Sequence, residues 1–430
     1  MDEASTIAAV ATAPGRGGVA VVRVSGPEAF AIASALTGRR VDAACAGRFF
    51  HAVLRHGGKT LDDGLVLVFK GPASYTGEDV VEFQTHGGTV APRRVLAACL
   101  ACGARLARRG EFTQRAFLNG RLDLSAAEAV IDLVDAKTDR AADDAVARLG
   151  GAEGRADAAL YASALDISSR LEHALDFSED ELPPGFLEEA GAAIADLAAR
   201  IADERRRLRE GRILREGALV VLAGPPNAGK SSLLNALLGA RRAIVSAEAG
   251  TTRDAIAEWL DVAGWPVRLV DTAGLRRTEN AVEAEGVDRA EELISRADLV
   301  VALDLDVPGA LRVHSKCDLG RGEGLNVSAV TGEGLDALKE AIAARLAARA
   351  AVADEPSADA AARRGELLGA AQEALSLVAP GAAALVAADM DLVLAANGAR
   401  AAAESLGRLA GKVYADDLLD ALFSRFCIGK

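Results

Sequence analysis

The stretch from Ala218 to Ser232 contains the residue types that bind a nucleoside triphosphate. It reads A-L-V-V-L-A-G-P-P-N-A-G-K-S-S, in which Gly224, Gly229, Lys230 and Ser231 form the pattern G-x-x-x-x-G-K-S. Glycines let backbone N–H groups surround a phosphate, and the helix that follows directs its positive end at that phosphate. The lysine amine reaches the β- and γ-phosphates, and the serine hydroxyl ligates Mg²⁺. The spacing predicts a phosphate loop.

The elements that must position this loop lie on either side of it. Leu219 to Leu222 form a short apolar run that predicts a buried strand, and Leu233, Leu234, Leu237 and Leu238 follow at helical spacing. A strand before the loop and a helix after it distinguish a phosphate loop from a chance glycine-rich turn.

A second acidic motif follows in the same region. Asp271 ends the apolar run V-R-L-V and opens D-T-A-G, which closes with Gly274. A carboxylate at this position can hold the hydration shell of Mg²⁺, and the glycine N–H can contact a γ-phosphate and move when it leaves.

The segment S-K-C-D, which ends at Asp318, favours guanine as the base. Its carboxylate can accept hydrogen bonds from guanine N1–H and N2–H₂, donors that adenine lacks. GTPases usually have Asn at the first position of this motif, where this chain has Ser315. Base recognition is therefore expected to depend on Lys316, Asp318 and the backbone of Ser328 and Ala329.

Only ten residues separate Asp304 from Ser315, where nucleotide-binding folds of this kind usually place a whole helix. One surface helix of the nucleotide domain is therefore expected to be missing.

Periodicity divides the chain into four segments. An α/β module is expected over 1–119, with strands at Val19–Val24, Leu65–Phe69 and Val80–Phe83 and a helix at Ala91–Cys102. Residues 120–216 and 346–430 read as helical, and 217–345 as a nucleotide domain inserted between them. The predicted fold class is multidomain, with α/β and all-α domains and a doubly wound, mostly parallel sheet that carries the phosphate loop.

Some residues leave two interpretations open. His86, before two glycines, is either catalytic or a turn histidine, and Cys99 and Cys102 form one C-x-x-C that is either a zinc motif or a chance pair on a helix. The basic run Arg205–Arg215 is a solvated helix face or a nucleic-acid contact. Ser125 and Glu128 have the spacing of a helix-capping box.

The length, charge and composition of the chain limit its expected number of domains, its partners and its location. With 430 residues the chain should contain two to four domains, and 49 basic against 62 acidic residues give a net charge of −13. This charge argues against broad nucleic-acid binding. Five cysteines, no apolar run of membrane length and no basic leader predict a cytoplasmic protein without a membrane span.

Blocks spread over the whole chain resemble the tRNA modification GTPase family MnmE (TrmE). They are T-I-A-A-V-A-T-A-P-G-R-G-G-V-A-V-V-R-V-S-G, G-P-A-S-Y-T-G-E-D-V-V-E-F-Q-T-H-G-G, R-G-E-F-T-Q-R-A-F-L-N-G-R-L-D-L, the phosphate loop, A-G-T-T-R-D, D-T-A-G-L-R and F-C-I-G-K. The amino-terminal blocks and C-I-G-K make the resemblance specific, because many GTPase families share the others.

The resemblance implies a tetrahydrofolate-binding, dimerising amino-terminal domain and a Ras-like GTPase domain activated by K⁺ instead of an arginine finger. The implied 5-formyl- or methylene-tetrahydrofolate contacts are Arg23, Glu82, Arg121 (usually Lys in the family) and Lys430. The implied K⁺ ligands are Asn227, Ser246, Glu248 and Thr251, and the implied Mg²⁺ ligands are Ser231 and Thr252. Glu283 would orient the attacking water, beside catalytic Lys230 and Asp271. The full set of expected GTP contacts is Asn227, Ala228, Gly229, Lys230, Ser231, Ser232, Ser246, Thr251, Thr252, Asp271, Thr272, Ala273, Gly274, Lys316, Asp318, Ser328 and Ala329.

The resemblance also implies partners. These are a flavoprotein of the MnmG (GidA) type, bound in a heterotetramer or larger assembly, and tRNA modified at C5 of the wobble uridine with a folate one-carbon unit. GTP hydrolysis would separate the GTPase domains that meet across the dimer. Cys427 is either a catalytic thiol or a packed cysteine. The alternative functions are a ribosome-assembly GTPase and a folate-binding scaffold that does not hydrolyse GTP.

Overall fold

The computed structural model describes residues 5–175, 182–239, 257–271, 293–352, 360–376, 392–410 and 429. The chain divides into two compact units. The first comprises Met1–Ile131, Arg148–Gly154 and Lys412–Lys430, and the second comprises Asp132–Ala147 and Arg155–Gly411. Among the described residues, no helix combines the length and apolar character needed to cross a membrane.

The first unit is built on a six-stranded sheet. Its elements are β1 (Ile7–Val10), β2 (Val19–Ser25), α1 (Ala29–Thr37), β3 (Arg48–His56), β4 (Lys59–Phe69), β5 (Val80–His86), α2 (Ala91–Ala101), β6 (Arg105–Leu106), α3 (Glu111–Leu118) and the start of α4 (Leu124–Asp135). The strand order is β3-β4-β5-β2-β1-β6, and only β1 and β6 pair in parallel.

One face of this sheet forms the core of the unit. Val22, Val24 and Phe83 share one buried cluster with Ile32 of α1 and Val95 of α2. Side chains alternate between the two faces of a strand. Removing this apolar surface from water is the main stabilisation of the unit.

Arg23 lies between two of these core residues, so its side chain leaves from the opposite face. In the antiparallel ladder of β2 and β5 it stands directly opposite Glu82. A smaller buried cluster, which includes Ile7 and Phe112 and packs against Tyr75, lies apart from the main core. The alternation thus separates an apolar face from a face that carries charge.

The three predicted strands of this unit exist, and each is longer than predicted, β2 by one residue and β4 and β5 by several. β4 begins at Lys59 instead of Leu65, and β5 continues to His86 instead of Phe83. Pairing between strands extends past the apolar residues, whereas the sequence signal depends on those residues alone. The predicted helix over Ala91–Cys102 is confirmed by α2.

The predicted capping box at Ser125 and Glu128 is wrong. α4 begins one residue before the serine, and the Asp123 carboxylate accepts a 2.7 Å hydrogen bond from the backbone N–H three residues later. The Ser125 hydroxyl donates to Glu153 instead. Asp123 is therefore the residue that caps this helix.

Gly429 lies against the first strand of the sheet. Its φ is +108°, and a Cβ there would lie 2.3 Å from the backbone oxygen of Val10 and 2.9 Å from Cα of Ala11. Glycine alone combines this conformation with such a close approach. Residue 429 thus belongs to the unit that contains β1.

The second unit contains the nucleotide domain. Its elements are β7 (Ala218–Ala223), α8 (Lys230–Gly239), β8 (Ala257–Val262), β9 (Trp265–Asp271), β10 (Leu299–Leu303), β11 (Leu311–His314), β12 (Leu325–Asn326) and α9 (Leu335–Val352). The strand order is β12-β11-β10-β7-β9-β8, and only β8 runs antiparallel to its neighbour. The predicted mostly parallel sheet is confirmed.

Residues 304–310 connect β10 to β11, although these neighbouring strands are parallel. Parallel neighbours usually need a crossover of about a dozen or more residues, commonly a helix. This connection, described throughout, contains turns, bends and irregular backbone but no helix. The predicted loss of one surface helix is therefore confirmed.

The remaining helices, which lie wholly or mostly in this unit, are α5 (Asp139–Leu149), α6 (Ala152–Ala174), α7 (Phe186–Glu216), α10 (Ala360–Ser376) and α11 (Leu392–Ala410). Leu171 of α6, Ile194 of α7, Leu368 of α10 and Leu406 of α11 share one buried cluster. Helices that precede and follow the nucleotide domain in sequence therefore pack together. The predicted domain boundaries at 119, 216 and 345 stay predictions.

Arg140 of α5 joins the helices to the nucleotide sheet. Its guanidinium carbon lies 4.0 Å from the ring centroid of Trp265, and its Nη2 lies 3.0 Å from Oε2 of Glu210 on α7. Nearby, the Thr138 hydroxyl donates a 2.9 Å hydrogen bond to the backbone oxygen of Gly264 in the β8–β9 turn. Stacking, charge and hydrogen bonding thus hold this turn against α5.

Candidate active site

The phosphate loop is shaped by two residues that adopt the left-handed conformation and by one close contact. Asn227 has a φ of +63° and Gly229 a φ of +89°. A Cβ on Gly224 would lie 2.6 Å from the backbone oxygen of Leu303 on β10, so only glycine fits there. The loop leads from buried β7 into the first turn of α8, which begins at Lys230.

Lys230 and Ser231 open α8 with different partners. The buried Lys230 amine donates 2.8 Å hydrogen bonds to the backbone oxygens of Gly224 and Pro225. The Ser231 hydroxyl donates to Oδ2 of Asp271 at 2.5 Å. The structure therefore brings together the three residues Lys230, Ser231 and Asp271, which the sequence predicts for catalysis and Mg²⁺ binding.

The Ser315 side chain bonds to Asp304, the residue that follows β10. Its hydroxyl is buried and donates to Oδ2 of Asp304 at 2.6 Å, while Oδ1 of Asp304 lies 2.8 Å from Nδ1 of His314. Nε2 of His314 is 3.0 Å from the backbone oxygen of Gly320, beyond the base-reading segment. Asp304 thus holds the start of that segment through Ser315 and His314.

Lys316 connects the base-reading segment to the phosphate loop. Its φ is +54°, and its amine donates a 2.8 Å hydrogen bond to the backbone oxygen of Asn227. Asp318 is exposed, and Ser328 is fully buried, with its hydroxyl accepting backbone N–H groups of the next turn. Ala228, Ser232 and Ala329 lie in the loop, in α8 and beside Ser328 respectively.

Several predicted site residues lie outside the described residues, and so does Cys427. They are Ser246, Glu248, Thr251, Thr252, Thr272, Ala273, Gly274, Glu283 and Lys430.

The first unit carries a second candidate pocket around Arg23. Nε of Arg23 donates to Oε1 of Glu82 at 2.7 Å, and its guanidinium carbon lies 5.0 Å from the ring centroid of Tyr75 and 5.5 Å from that of Phe112. Arg121 donates from Nε to the backbone oxygen of Ser74 at 3.1 Å, one residue from Tyr75. Arg23 and Glu82 therefore form a pair beside Tyr75, and Arg121 contacts the residue that precedes this tyrosine.

A buried ion-pair network supports this pocket. Glu111 accepts hydrogen bonds from Arg105 and from the Arg108 backbone, and Arg115 bridges Glu111 and Glu78. Burial raises the pKa of Glu111, but the hydrogen bonds and the charges of Arg105 and Arg115 outweigh it and lower the pKa to about 2. The carboxylate is therefore ionised at neutral pH.

The spacing of residues along the sequence does not predict roles for Tyr75 or Phe112. Both lie in the blocks that carry the family resemblance, A-S-Y-T-G-E-D and R-G-E-F, and that is the signal that could have drawn attention to them. Their partnership with Arg23 depends on the packing of distant segments.

His86 ends β5 on the surface, opposite Asp62. Its Nδ1 lies 2.8 Å from Oδ1 of Asp62, and its backbone N–H donates to Oδ2 of the same carboxylate at 2.8 Å. The hydrogen bond and the charge of Asp62 raise the pKa of His86. Among the described side chains, its hydrogen-bond partner is this carboxylate and not a nucleophile, which favours the structural interpretation.

The C-x-x-C pair lacks the surroundings of a zinc motif. Cys99 is buried, and burial raises its pKa to about 12. Cys102 Sγ lies 3.7 Å from Nδ1 of His56. Within the described part of the chain, no group of three close metal donors includes either cysteine.

The basic run at the end of α7 is neutralised by neighbouring acids. Arg207 lies 3.1 Å from Asp203 and 3.0 Å from Glu204, and Arg215 lies 3.9 Å from Asp132. These pairs favour the interpretation as a paired helix face over a nucleic-acid contact.

Comparison with known proteins gives matches over nearly the whole chain. Residues 6–121 match the family description "GTP-binding protein TrmE N-terminus", and residues 124–427 match "MnmE helical domain". The chain is 44% identical over 460 residues to the tRNA modification GTPase MnmE of Symbiobacterium thermophilum, covering 99% of each chain. It is 43% identical over 458 residues to the protein of the same name from Neisseria gonorrhoeae, covering 100% of each.

Among solved structures, the G domain of the T. maritima FeoB iron transporter aligns with 30% of this chain and 98% of its own. The identity is 26% and the TM-score is 0.23, a score too low to bear on the fold.

Proposed function

Because the chain belongs to the MnmE family of tRNA modification GTPases, we propose that its nucleotide domain hydrolyses GTP during the modification of tRNA. The observation that carries this proposal is the meeting of Lys230, Ser231 and Asp271 at the start of α8. The amino-terminal match over residues 6–121 argues against the alternative of a ribosome-assembly GTPase, which would need no such domain.

The residues at the start of α8 fit Mg²⁺. Ser231 and Asp271 offer a hydroxyl and a carboxylate oxygen, which are the hard donors that this ion prefers. Mg²⁺ supplies positive charge that offsets the charge on the β- and γ-phosphates. Thr252 is proposed as its further protein ligand.

Lys230 has a defined task in this site. Its amine is bound to two loop carbonyls, Gly224 and Pro225, which are weaker partners than phosphate oxygens. On GTP binding the amine is proposed to turn to the β- and γ-phosphates, while the loop N–H groups surround them. Asp271 holds the Ser231 hydroxyl in position.

K⁺ activation is proposed around Asn227. This residue is exposed at the bend of the loop with a left-handed backbone, and its amide oxygen is a donor that suits K⁺. Ser246, Glu248 and Thr251 are the other proposed ligands, and K⁺ supplies the charge that an arginine finger provides elsewhere. Glu283 is proposed to orient the attacking water.

Folate binding is proposed for the pocket around Arg23. The Arg23–Glu82 pair offers a donor and an acceptor side by side, and Tyr75 adds an aromatic face, which suits a flat polar ring. A 5-formyl- or methylene-tetrahydrofolate supplies the one-carbon unit. Arg121 and Lys430 are the other proposed contacts.

The proposed assembly is a dimer through the amino-terminal domain, joined by a flavoprotein of the MnmG type in a heterotetramer or larger complex. The proposed substrate atom is C5 of the wobble uridine of certain tRNAs. GTP hydrolysis is proposed to open and close the paired nucleotide domains. A net charge of −13 supports the proposal that the partner provides much of the surface that binds tRNA. The proposed location is the cytoplasm.

GTP hydrolysis by the full-length chain in KCl and in NaCl tests the enzymatic core of this proposal. We expect hydrolysis to be faster in KCl, Asn227→Ala to remove the difference between the salts, and Lys230→Ala to abolish hydrolysis in both. Equal rates of wild type in both salts would contradict K⁺ activation. Hydrolysis that Lys230→Ala leaves intact would contradict the site itself, and its absence from wild type would favour the scaffold alternative.

A further inference from the structure

GTP hydrolysis gives no role to His86, although it belongs to an organised group of side chains. His51 of β3, Asp62 and Asp63 of β4, and His86 at the end of β5 form a row of ion-paired side chains on three neighbouring strands. His51 Nε2 lies 3.3 Å from Oδ2 of Asp63, and His86 Nδ1 lies 2.8 Å from Oδ1 of Asp62. Donor atoms of Asp62, Asp63 and His86 all lie within 4.8 Å of one another.

The carboxylate of Asp62 is fixed before any ligand arrives. Its Oδ2 accepts the backbone N–H of His86 at 2.8 Å, and its Oδ1 accepts the backbone N–H of Asp63 at 2.9 Å. The Asp62 side chain is 11% exposed, whereas the side chains of His86 and Asp63 are open to solvent. Backbone hydrogen bonds of this kind orient a metal-binding carboxylate and leave a lone pair of Oδ1 available.

The charge of the row is incompletely balanced. Within the described part of the chain, the ion-pair partners of Asp62 and Asp63 are the imidazoles of His86 and His51 alone. Two adjacent carboxylates therefore have no permanent cation beside them. A divalent cation would balance both charges and take the place of the proton that His86 Nδ1 shares with Asp62.

We propose that Asp62, Asp63 and His86 form a binding site for a divalent cation of the Zn²⁺ class. Imidazole nitrogen and carboxylate oxygen donors suit this class. Tetrahedral Zn²⁺ with bonds of about 2.0–2.2 Å requires donors separated by roughly 3.4 Å. His86 Nδ1 and Asp62 Oδ1 are 2.8 Å apart, and the donor atoms of Asp62, Asp63 and His86 all lie within 4.8 Å of one another. Small side-chain movements would bring these three donors to that separation and leave the fourth position to water.

The site would join β4 and β5 through one ion. Its expected effect is to stabilise the first unit, because the cation binds the folded arrangement and not the unfolded chain. Cation binding here requires neither GTP nor its hydrolysis.

Co²⁺ is a suitable probe, because tetrahedral Co²⁺ has an intense visible absorption that an octahedral ion at the phosphate loop lacks. We expect chelator-treated, nucleotide-free full-length protein to develop this absorption saturably at one Co²⁺ per chain. Asp63→Asn and His86→Gln should each weaken Co²⁺ binding by roughly 10–100-fold. Zn²⁺ should bleach the absorption and raise the unfolding temperature of wild type more than that of either variant.

His56→Gln is the matched control, because His56 is also a histidine of β3 and lies beside a different donor, Cys102. It should leave Co²⁺ binding unchanged. The proposal would be overturned if the Co²⁺ absorption survived in Asp63→Asn and His86→Gln or disappeared in His56→Gln. It would also be overturned if wild type developed no absorption below millimolar Co²⁺. Both ligand variants alter exposed side chains, and unfolding of the metal-free variants checks that they fold.

Discussion

The Lys316 amine donates a 2.8 Å hydrogen bond to the backbone oxygen of Asn227. The segment expected to read the base is thereby tied to the loop expected to hold the phosphates. Ser315 bonds to Asp304, whereas the Lys316 side chain directly links the two segments.

Lys316→Ala should weaken GDP binding by roughly 10-fold. A hydrogen bond from a charged donor contributes about 1.5 kcal/mol or more, and its loss frees the two loops from one another. Titration with a fluorescent GDP analogue measures the affinity. Lys339→Ala, which removes a half-buried lysine of α9 paired with the exposed Asp336, should leave the affinity unchanged. Equal affinities of Lys316→Ala and wild type would refute the role of the link.

Ser315→Asn, which introduces the residue usual in GTPases, should not tighten guanine nucleotide binding. The site is 7% exposed and shaped around the hydroxyl contact with Asp304, so a larger amide would cost about 1–3 kcal/mol of folding free energy. Ser315→Ala should cost only about 1 kcal/mol. Calorimetric titration with GDP and thermal unfolding compare the two variants. Tighter GDP binding by Ser315→Asn would show that the Asp304 contact is a substitute of lower quality.

Stability of the first unit should fall as pH falls from about 4.5 towards 2. The folded pKa of Glu111 is lowered to about 2, so its ionised form contributes stability above the unfolded pKa, and that contribution is lost on acidification. The loss amounts to at most about 3 kcal/mol. Hydrogen exchange of β2 and β5 amides against pH measures it.

Glu111→Gln should flatten this dependence and lower protection of the same amides at pH 7, because Arg105 and Arg115 then lack their carboxylate. Glu333→Gln, at an exposed pair with Arg321, serves as the control. The same steepness of the pH dependence in Glu111→Gln and wild type would assign the acid sensitivity to other carboxylates.

Arg140→Ala should destabilise the second unit by about 1–2 kcal/mol, because both the stacking on Trp265 and the ion pair with Glu210 are lost. Arg140→Lys keeps the charge and should recover only a fraction of this, since an ammonium lacks the planar face. Denaturant unfolding followed by tryptophan emission measures the change. Arg321→Ala removes an exposed ion pair and should have little effect, and an equal effect of the two alanine variants would contradict the prediction.

Local sequence was sufficient to predict the phosphate loop, because Gly224, Lys230 and the flanking apolar runs lie within one short stretch. The parallel sheet followed from the same apolar runs, and the missing helix from the spacing of Asp304 and Ser315. Strand ends were predicted less well, since the polar residues of β4 and β5 are held by their neighbours in the sheet and not by their own pattern.

Contacts between distant segments could not be predicted from local sequence. The Tyr75 and Phe112 rings reach Arg23 from separate regions of the chain, and the carboxylate that caps α4 precedes a serine with the expected spacing. In both cases several arrangements satisfy the local rules, and tertiary packing selects one of them.

The position of Gly429 beside β1 determines when the first unit can be completed during protein synthesis. The unit that contains β1 also contains residues 412–430, so a ribosome makes most of it first and its final residues only after the whole of the second unit. A nascent chain halted near residue 411 would hold a complete second unit and an unfinished first one. The first unit can therefore be completed only after the whole second unit has been translated.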